Sequence, residues 1–112
     1  MGRLLAALML LGLGACAAQT PHAPQTAEAR GRAIAAAHCS TCHAIGPTGE
    51  SPAPEAPPFR RLSQNYRVDM LEEALAEGIS VGHPAMPHFQ FPPEDVNALV
   101  SYLQSVQERP SR

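Results

Sequence analysis

The chain of 112 residues contains no lysine and no tryptophan, and it has few large apolar side chains. Leu, Ile, Val and Phe make up about a fifth of residues 27–108. A core with so few large apolar side chains rarely contributes more than about 3–5 kcal/mol to the free energy of unfolding. A single small domain of this kind therefore usually needs a further stabilising element, such as disulfide bonds or a metal. Eight arginines against ten acidic residues give a formal net charge of −2, without a basic stripe. These absences exclude a multidomain enzyme and a polytopic membrane protein, and they argue against nucleic-acid binding.

The N-terminus has the pattern of an export signal. A positive start at Arg3 precedes an apolar run of eleven residues, which is shorter than the ~20 helical residues that cross a bilayer. The run ends in the letters LGAC at residues 13–16, which resemble a bacterial lipobox. We therefore predict a lipoprotein signal peptide over residues 1–15 and a lipid anchor at Cys16. Ordinary cleavage near a neighbouring alanine and an uncleaved anchor are the alternatives.

The next segment is rich in Ala, Gln, Thr and Pro and has no hydrophobic period. Such a composition is typical of a linker and not of a packed domain. We therefore predict a flexible tether over residues 16–26, one folded domain over residues 27–108 and a short C-terminal tail over residues 109–112.

Residues 39–43, Cys-Ser-Thr-Cys-His, form the C-x-x-C-H pattern by which c-type haem is attached. The spacing sets the thiols of Cys39 and Cys42 against the two vinyl groups of one porphyrin edge, and it places His43 under the iron as proximal ligand. A thioredoxin-like redox pair would accompany strand–helix alternation, and a zinc site would need further ligands nearby. A structural disulfide would leave His43 without a role. We therefore predict one covalently bound haem c, and Cys16 accounts for the odd cysteine.

The segment HPAMPH at residues 83–88 supplies a candidate sixth ligand of the iron. Proline on both sides of Met86 restricts the backbone, so its thioether is presented with little conformational freedom left to lose. Met70 is the competing methionine, but we expect it to pack in a helix. We expect His83 and His88 to be solvated; a bound histidine would give a bis-histidine haem of lower potential. The predicted metal ligands are therefore His43 and Met86.

This ordered set of motifs resembles the class I monohaem c-type cytochromes over about residues 27–106. The resemblance implies an all-α cytochrome c fold, with about three main helices wrapped around one haem. It implies that the first and last helices cross at Gly31 against Tyr102. It also implies that a proline carbonyl, of Pro57 or, as we favour, of Pro58, accepts a hydrogen bond from the ring of the proximal histidine.

Periodicity and capping signals predict where the helices lie. The first covers residues 27–37 and is rich in alanine, and the second covers residues 68–77 and ends at Gly78. The third covers residues 93–107, begins with proline and has apolar residues at i, i+3, i+4 and i+7. Five prolines among residues 47–58 exclude helix and central strand there, so this segment is a loop.

An iron with ligands from His43 and Met86 has no open site for a substrate, so we predict a one-electron carrier and not an enzyme. Met/His ligation raises the potential, which suits a bacterial respiratory or photosynthetic chain. We expect an exported monomer on the periplasmic side of a membrane. Its partners would be redox proteins: a membrane oxidase, a dehydrogenase or a cytochrome bc-type complex. An accessory haem subunit of such a complex is one alternative, and a ligand-binding or peroxidatic haem protein with a displaceable Met86 is another.

Many cytochromes of the resembling family dock through a ring of lysines, which this chain lacks. Arg60, Arg61 and Arg67 are close together in sequence. We expect them to form ion pairs with the acidic second helix or with the haem propionates, rather than a positive docking patch.

Overall fold

A computed structural model describes residues 25–78 and 82–109. This part of the chain is all-α, as predicted, and has no strand. The predicted signal peptide, Cys16 and most of the tether lie outside the described residues. Within the described ranges, no helix is long and apolar enough to cross a membrane. The elements in chain order are α1 (Ala27–His38), a 3₁₀ helix (Phe59–Gln64), a second 3₁₀ helix (Val68–Met70), α2 (Leu71–Glu77) and α3 (Pro93–Ser105).

Helix α1 crosses α3 at Gly31, which confirms the predicted crossing against Tyr102. A Cβ atom at this glycine would lie 2.0 Å from the carbonyl oxygen of Ala98 and 2.7 Å from Cβ of Tyr102. Only glycine, which has no Cβ, allows the two backbones to come this close. Ala35 and Leu99 are almost completely buried on the facing helices, so the crossing forms the centre of the core.

The second predicted helix is divided into two kinds of helix. Residues Val68–Met70 form a 3₁₀ turn, and α2 follows until Gly78, whose φ of +70° provides the predicted left-handed cap. Val68 and Met70 point to different sides of this turn: Val68 is buried, while Met70 is 63% exposed. The prediction that Met70 packs in a helix is therefore wrong.

Helix α3 supplies most of the buried apolar surface. It begins at Pro93, as predicted, with Glu94 and Asp95 in its first turn, and it ends at Ser105, two residues before the predicted end. The phenolic hydroxyl of Tyr102 donates to the carbonyl oxygen of Ile45 at 2.8 Å, which ties α3 to the loop after the C-x-x-C-H motif. The buried residues of α3 are Val96, Ala98, Leu99, Val100, Tyr102 and Leu103.

The segment of residues 47–58 is a loop, as predicted, and an unpredicted 3₁₀ helix follows it. Arg60 in this helix is only 5% exposed. Its Nε donates to Oε1 of Glu108 at 2.8 Å, and its Nη1 donates to the carbonyl oxygen of Gly49 at 2.6 Å. The backbone N–H of Glu108 donates in turn to the carbonyl oxygen of Arg60 at 2.8 Å. This arginine therefore joins the loop, the 3₁₀ helix and the chain that follows α3.

The three clustered arginines form ion pairs, but only one of them pairs with the predicted second helix. Arg60 and Arg61 both pair with Glu108, and Arg67 pairs with Asp69. Asp69 lies within the predicted second helix, residues 68–77, so the prediction is confirmed for Arg67. Glu108 follows α3, so the prediction is wrong for Arg60 and Arg61. The reason is that the 3₁₀ helix places Arg60 beside the chain that leaves α3.

Candidate haem-binding site

The C-x-x-C-H motif begins where α1 ends. Helix α1 runs to His38, one residue beyond its predicted end, and Cys39 caps it by donating its N–H to the carbonyl oxygen of Ala35 at 2.8 Å. The N–H groups of Cys42 and His43 both donate to the carbonyl oxygen of Cys39, at 3.1 and 2.9 Å. The motif is therefore one tight turn, which brings the two thiols and the imidazole into a single short stretch of backbone.

The ring of His43 is oriented by a main-chain acceptor. Its Nδ1 lies 2.8 Å from the carbonyl oxygen of Pro57, so the favoured choice of Pro58 is wrong. The carbonyl of Pro58 accepts the N–H of Arg61 at 3.0 Å instead, because Pro58 is the N-terminal cap of the 3₁₀ helix. A carbonyl can only accept, so Nδ1 of His43 carries the proton. Nε2 then keeps the lone pair that a metal needs.

Three further hydrogen bonds hold the proline-rich loop against the motif. They run from Ala53 N–H to Cys42 O (3.1 Å), from Phe59 N–H to Ala44 O (2.9 Å) and from Ala44 N–H to Ser51 Oγ (3.0 Å). These bonds keep the carbonyl of Pro57 in place beside His43, and sequence patterns did not indicate any of them. The ring of Phe59 also packs against that of His43, with centroids 5.4 Å apart.

The surroundings of Cys39 are apolar. The side chain packs against the core, and burial raises the pKa of its thiol to about 11. Redox-active C-x-x-C pairs have a lowered pKa and favour helix N-termini, whereas Cys39 lies at a helix C-terminus. Both observations argue against a thioredoxin-like pair and fit a Cys39 thiol that faces an apolar group. Across residues 25–78 and 82–109, no group of three or more His, Cys, Asp or Glu side chains could hold a metal ion.

Met86 lies in the loop before α3, in which Gly82 has a φ of +87°. Its N–H donates to the carbonyl oxygen of His83 at 3.0 Å, which closes a turn. The ring of His83 bends back on this turn, because its Nδ1 accepts the N–H of Ala85 at 3.2 Å. His83 and His88 are exposed, while Met86 is half-buried. The assignment of Met86 as iron ligand stays a prediction.

An all-α fold in which the first helix ends at a C-x-x-C-H turn, with the histidine held by a main-chain carbonyl, is that of a monohaem c-type cytochrome, whose cofactor is haem c. The family described as "Cytochrome C oxidase, cbb3-type, subunit III" has a profile that matches residues 26–103, more than two thirds of the chain. The chain belongs to this family, which confirms the resemblance and the cytochrome c fold. Its general function is haem-based electron transfer. Neither a curated protein nor a solved structure matches the chain.

Proposed function

We propose that the protein is a one-electron carrier that holds one haem c covalently through Cys39 and Cys42, with His43 and Met86 as the iron ligands. The observation that carries the proposal is the 2.8 Å contact between Nδ1 of His43 and the carbonyl oxygen of Pro57, directly after the C-x-x-C turn. Haem c supplies reversible one-electron chemistry at its iron.

The loop of residues 47–58 orients His43. A hydrogen bond from Nδ1 to a carbonyl fixes the tautomer and increases the basicity of the ring. The loop is itself bonded to Cys42 of the motif and to the adjacent Ala44, and Arg60 donates to the carbonyl of Gly49. These bonds would keep the acceptor in place in both oxidation states of a bound haem, which would favour electron exchange with little rearrangement.

The proline-flanked turn presents Met86. A methionine and a histidine ligand together would raise the reduction potential of a bound haem. With both His43 and Met86 holding the iron, no coordination position would remain for a substrate, and this supports an electron carrier rather than an enzyme. The ring of His83 already accepts a hydrogen bond within its own turn, which disfavours it as a distal acid–base residue of a peroxidatic site.

Covalent attachment is tested by replacing the two thiols. We expect Cys39→Ala or Cys42→Ala to lose one thioether bond and the double variant to lose haem stain on a denaturing gel. Thr41→Ala is the matched control, because Thr41 is an exposed position of the same motif. Undiminished stain in the double variant would contradict the proposal.

The sixth ligand is tested by comparing two methionines. We expect Met86→Ala to remove the sulfur-to-iron charge-transfer band of the oxidised protein, lower the potential and admit carbon monoxide. Met70→Ala is the matched control, because Met70 is 63% exposed. His83→Ala and His88→Ala should leave the spectrum unchanged. If His88→Ala and not Met86→Ala abolished the low-spin spectrum, the ligand assignment would be wrong.

The N-terminal pattern supports a location outside the cytoplasm. We propose export to the periplasmic side of a bacterial membrane, with lipid attached to Cys16. A single fatty chain gives only marginal membrane binding, whereas two chains give stable anchoring. A diacylated Cys16 would therefore suffice to anchor the protein. We expect Cys16→Ala to move the protein to the soluble periplasmic fraction. Wild-type protein that washed off membranes in detergent-free buffer would indicate ordinary secretion instead.

The family description supports a respiratory complex as partner. We propose that the anchored protein donates electrons to, or accepts electrons from, a membrane oxidase, a dehydrogenase or a cytochrome bc-type complex. It would do so as a free carrier or as an accessory subunit. Pull-down from mildly solubilised membranes distinguishes the two: a subunit is recovered with its complex in fixed ratio, and a free carrier is recovered alone. Cys16→Ala is the control: a complex that this variant still recovers binds the protein directly and does not merely share its membrane.

A further inference from the structure

Three aromatic rings join the end of α1 to the segment that follows Met86. The ring centroid of His38 lies 5.4 Å from that of Phe91 and 6.0 Å from that of Phe89, both edge to face. Phe89 and Phe91 are stacked, with centroids 5.6 Å apart and planes inclined by 13°. His38 is the last residue of α1 and directly precedes Cys39. The cluster therefore contacts both chain segments that carry the proposed haem contacts.

The two phenylalanines are held in different ways. The N–H of Phe91 donates to the carbonyl oxygen of Leu75 at 2.9 Å, and its ring packs against the core. The ring of Phe89 is held by the stack with Phe91 and by the edge of His38. Phe89 is only three residues beyond Met86, so the position of Phe89 determines where the stiff, proline-flanked turn of Met86 ends.

We propose that His38 is a positioning residue for Met86. Its edge contacts with Phe89 and Phe91 hold the segment that carries Met86 against the end of α1. The inference rests on the proposed function, in which Met86 is an iron ligand. Loss of the His38 ring removes one of the two ring contacts of Phe89 and leaves its stack with Phe91. In the holoprotein, the population in which Met86 is displaced from the iron would then increase.

The competing explanation is that His38 only stabilises α1, since a basic side chain in the last turn interacts favourably with the helix dipole. Two replacements separate these roles. His38→Phe keeps an aromatic edge and removes the basic side chain, whereas His38→Lys keeps a basic side chain and removes the aromatic edge. His38 is exposed, so neither change disturbs the crossing of α1 and α3.

The measurement is the apparent affinity of the oxidised holoprotein for imidazole, which binds the iron only when Met86 is displaced. We expect His38→Ala and His38→Lys to bind imidazole about tenfold more tightly than wild type, because two edge-to-face contacts are lost. We expect His38→Phe to stay within about twofold of wild type. Wild-type affinity in His38→Ala, or a His38→Phe variant that behaves like His38→Ala, would overturn the inference.

Two controls complete the experiment. His88→Ala, a histidine of the same segment that lies outside the ring cluster, is expected to bind imidazole as wild type does. Met86→Ala reports on the ligand itself: if it leaves the affinity unchanged, the proposed function is wrong, whatever His38 does. Hydrogen exchange gives a second readout, in which His38→Ala accelerates exchange at the amide of Met86 but not at that of Leu99. Equal acceleration at both amides would mean global destabilisation and would refute the positioning role.

Discussion

Replacing Gly31 by alanine adds a single methyl group at the point where α1 and α3 are closest. In an open helix this change stabilises by about 1 kcal/mol, because alanine is the better helix former. At Gly31 the new Cβ would lie 2.0 Å from the carbonyl oxygen of Ala98 and 2.6 Å from its carbonyl carbon. Both are backbone atoms of α3, so no side-chain rotation relieves the clash and the helices have to separate.

The required movement sets the size of the effect. Ordinary van der Waals contact begins at 3.4 Å, so the Cβ must move about 1.4 Å from its position 2.0 Å from Ala98. Separation on this scale loosens the packing of Ala35 and Leu99. Overpacking costs about 1–3 kcal/mol, and a clash with backbone belongs at the upper end. After subtraction of the gain in helix propensity, we expect a net loss of about 2 kcal/mol.

Thermal unfolding of the holoprotein measures this loss. For a domain of this size, about 2 kcal/mol corresponds to a decrease in Tm of about 10 °C. Gly46→Ala is the matched control: nothing lies within 4 Å of a Cβ at Gly46. We expect that variant to keep its stability or gain about 0.4–1 kcal/mol. A Gly31→Ala protein as stable as Gly46→Ala would refute the argument from helix separation.

Three other predictions concern the loop and the partner. Glu108→Gln should destabilise the fold by about 1 kcal/mol in urea titration, because buried Arg60 loses the nearer of its two acidic partners, Glu108 and Glu50, while the half-exposed site limits the effect. Ser51→Ala should cost about 1 kcal/mol and shift the reduction potential, since the N–H of Ala44 loses its acceptor beside His43. Electron transfer to a co-anchored partner should depend strongly on Cys16 and weakly on ionic strength in stopped-flow measurements, because the chain has no lysine for electrostatic steering. A steep salt dependence that the tether leaves unchanged would indicate a charged docking site instead.

The features that the sequence predicted correctly are those marked by one residue or by a motif of a few neighbouring residues. The C-x-x-C-H motif gave the class of protein, and Gly31, Gly78 and Pro93 correctly marked a helix crossing, a helix end and a helix start. These features depend on backbone conformation or on the absence of a Cβ, which are local properties. The ligand role of Met86 rests on the same kind of local pattern and stays a prediction.

Only the tertiary structure decided which of two adjacent prolines accepts from His43. The choice falls on Pro57 because the 3₁₀ helix begins directly after Pro58 and uses its carbonyl. The sequence also did not indicate that Met70 faces outward, since periodicity does not distinguish a 3₁₀ turn from the first turn of an α-helix.

The longest-range contacts were the least predictable. Arg60 pairs with Glu108, 48 residues further along the chain, and His38 packs against Phe89 and Phe91 more than 50 residues away. Hydrophobic periodicity and capping describe one element at a time, whereas these pairs form only when α1 and α3 have crossed at Gly31. The sequence by itself therefore determined the helices and the haem motif, and the packing of distant segments determined which side chains hold the two sides of the site in place.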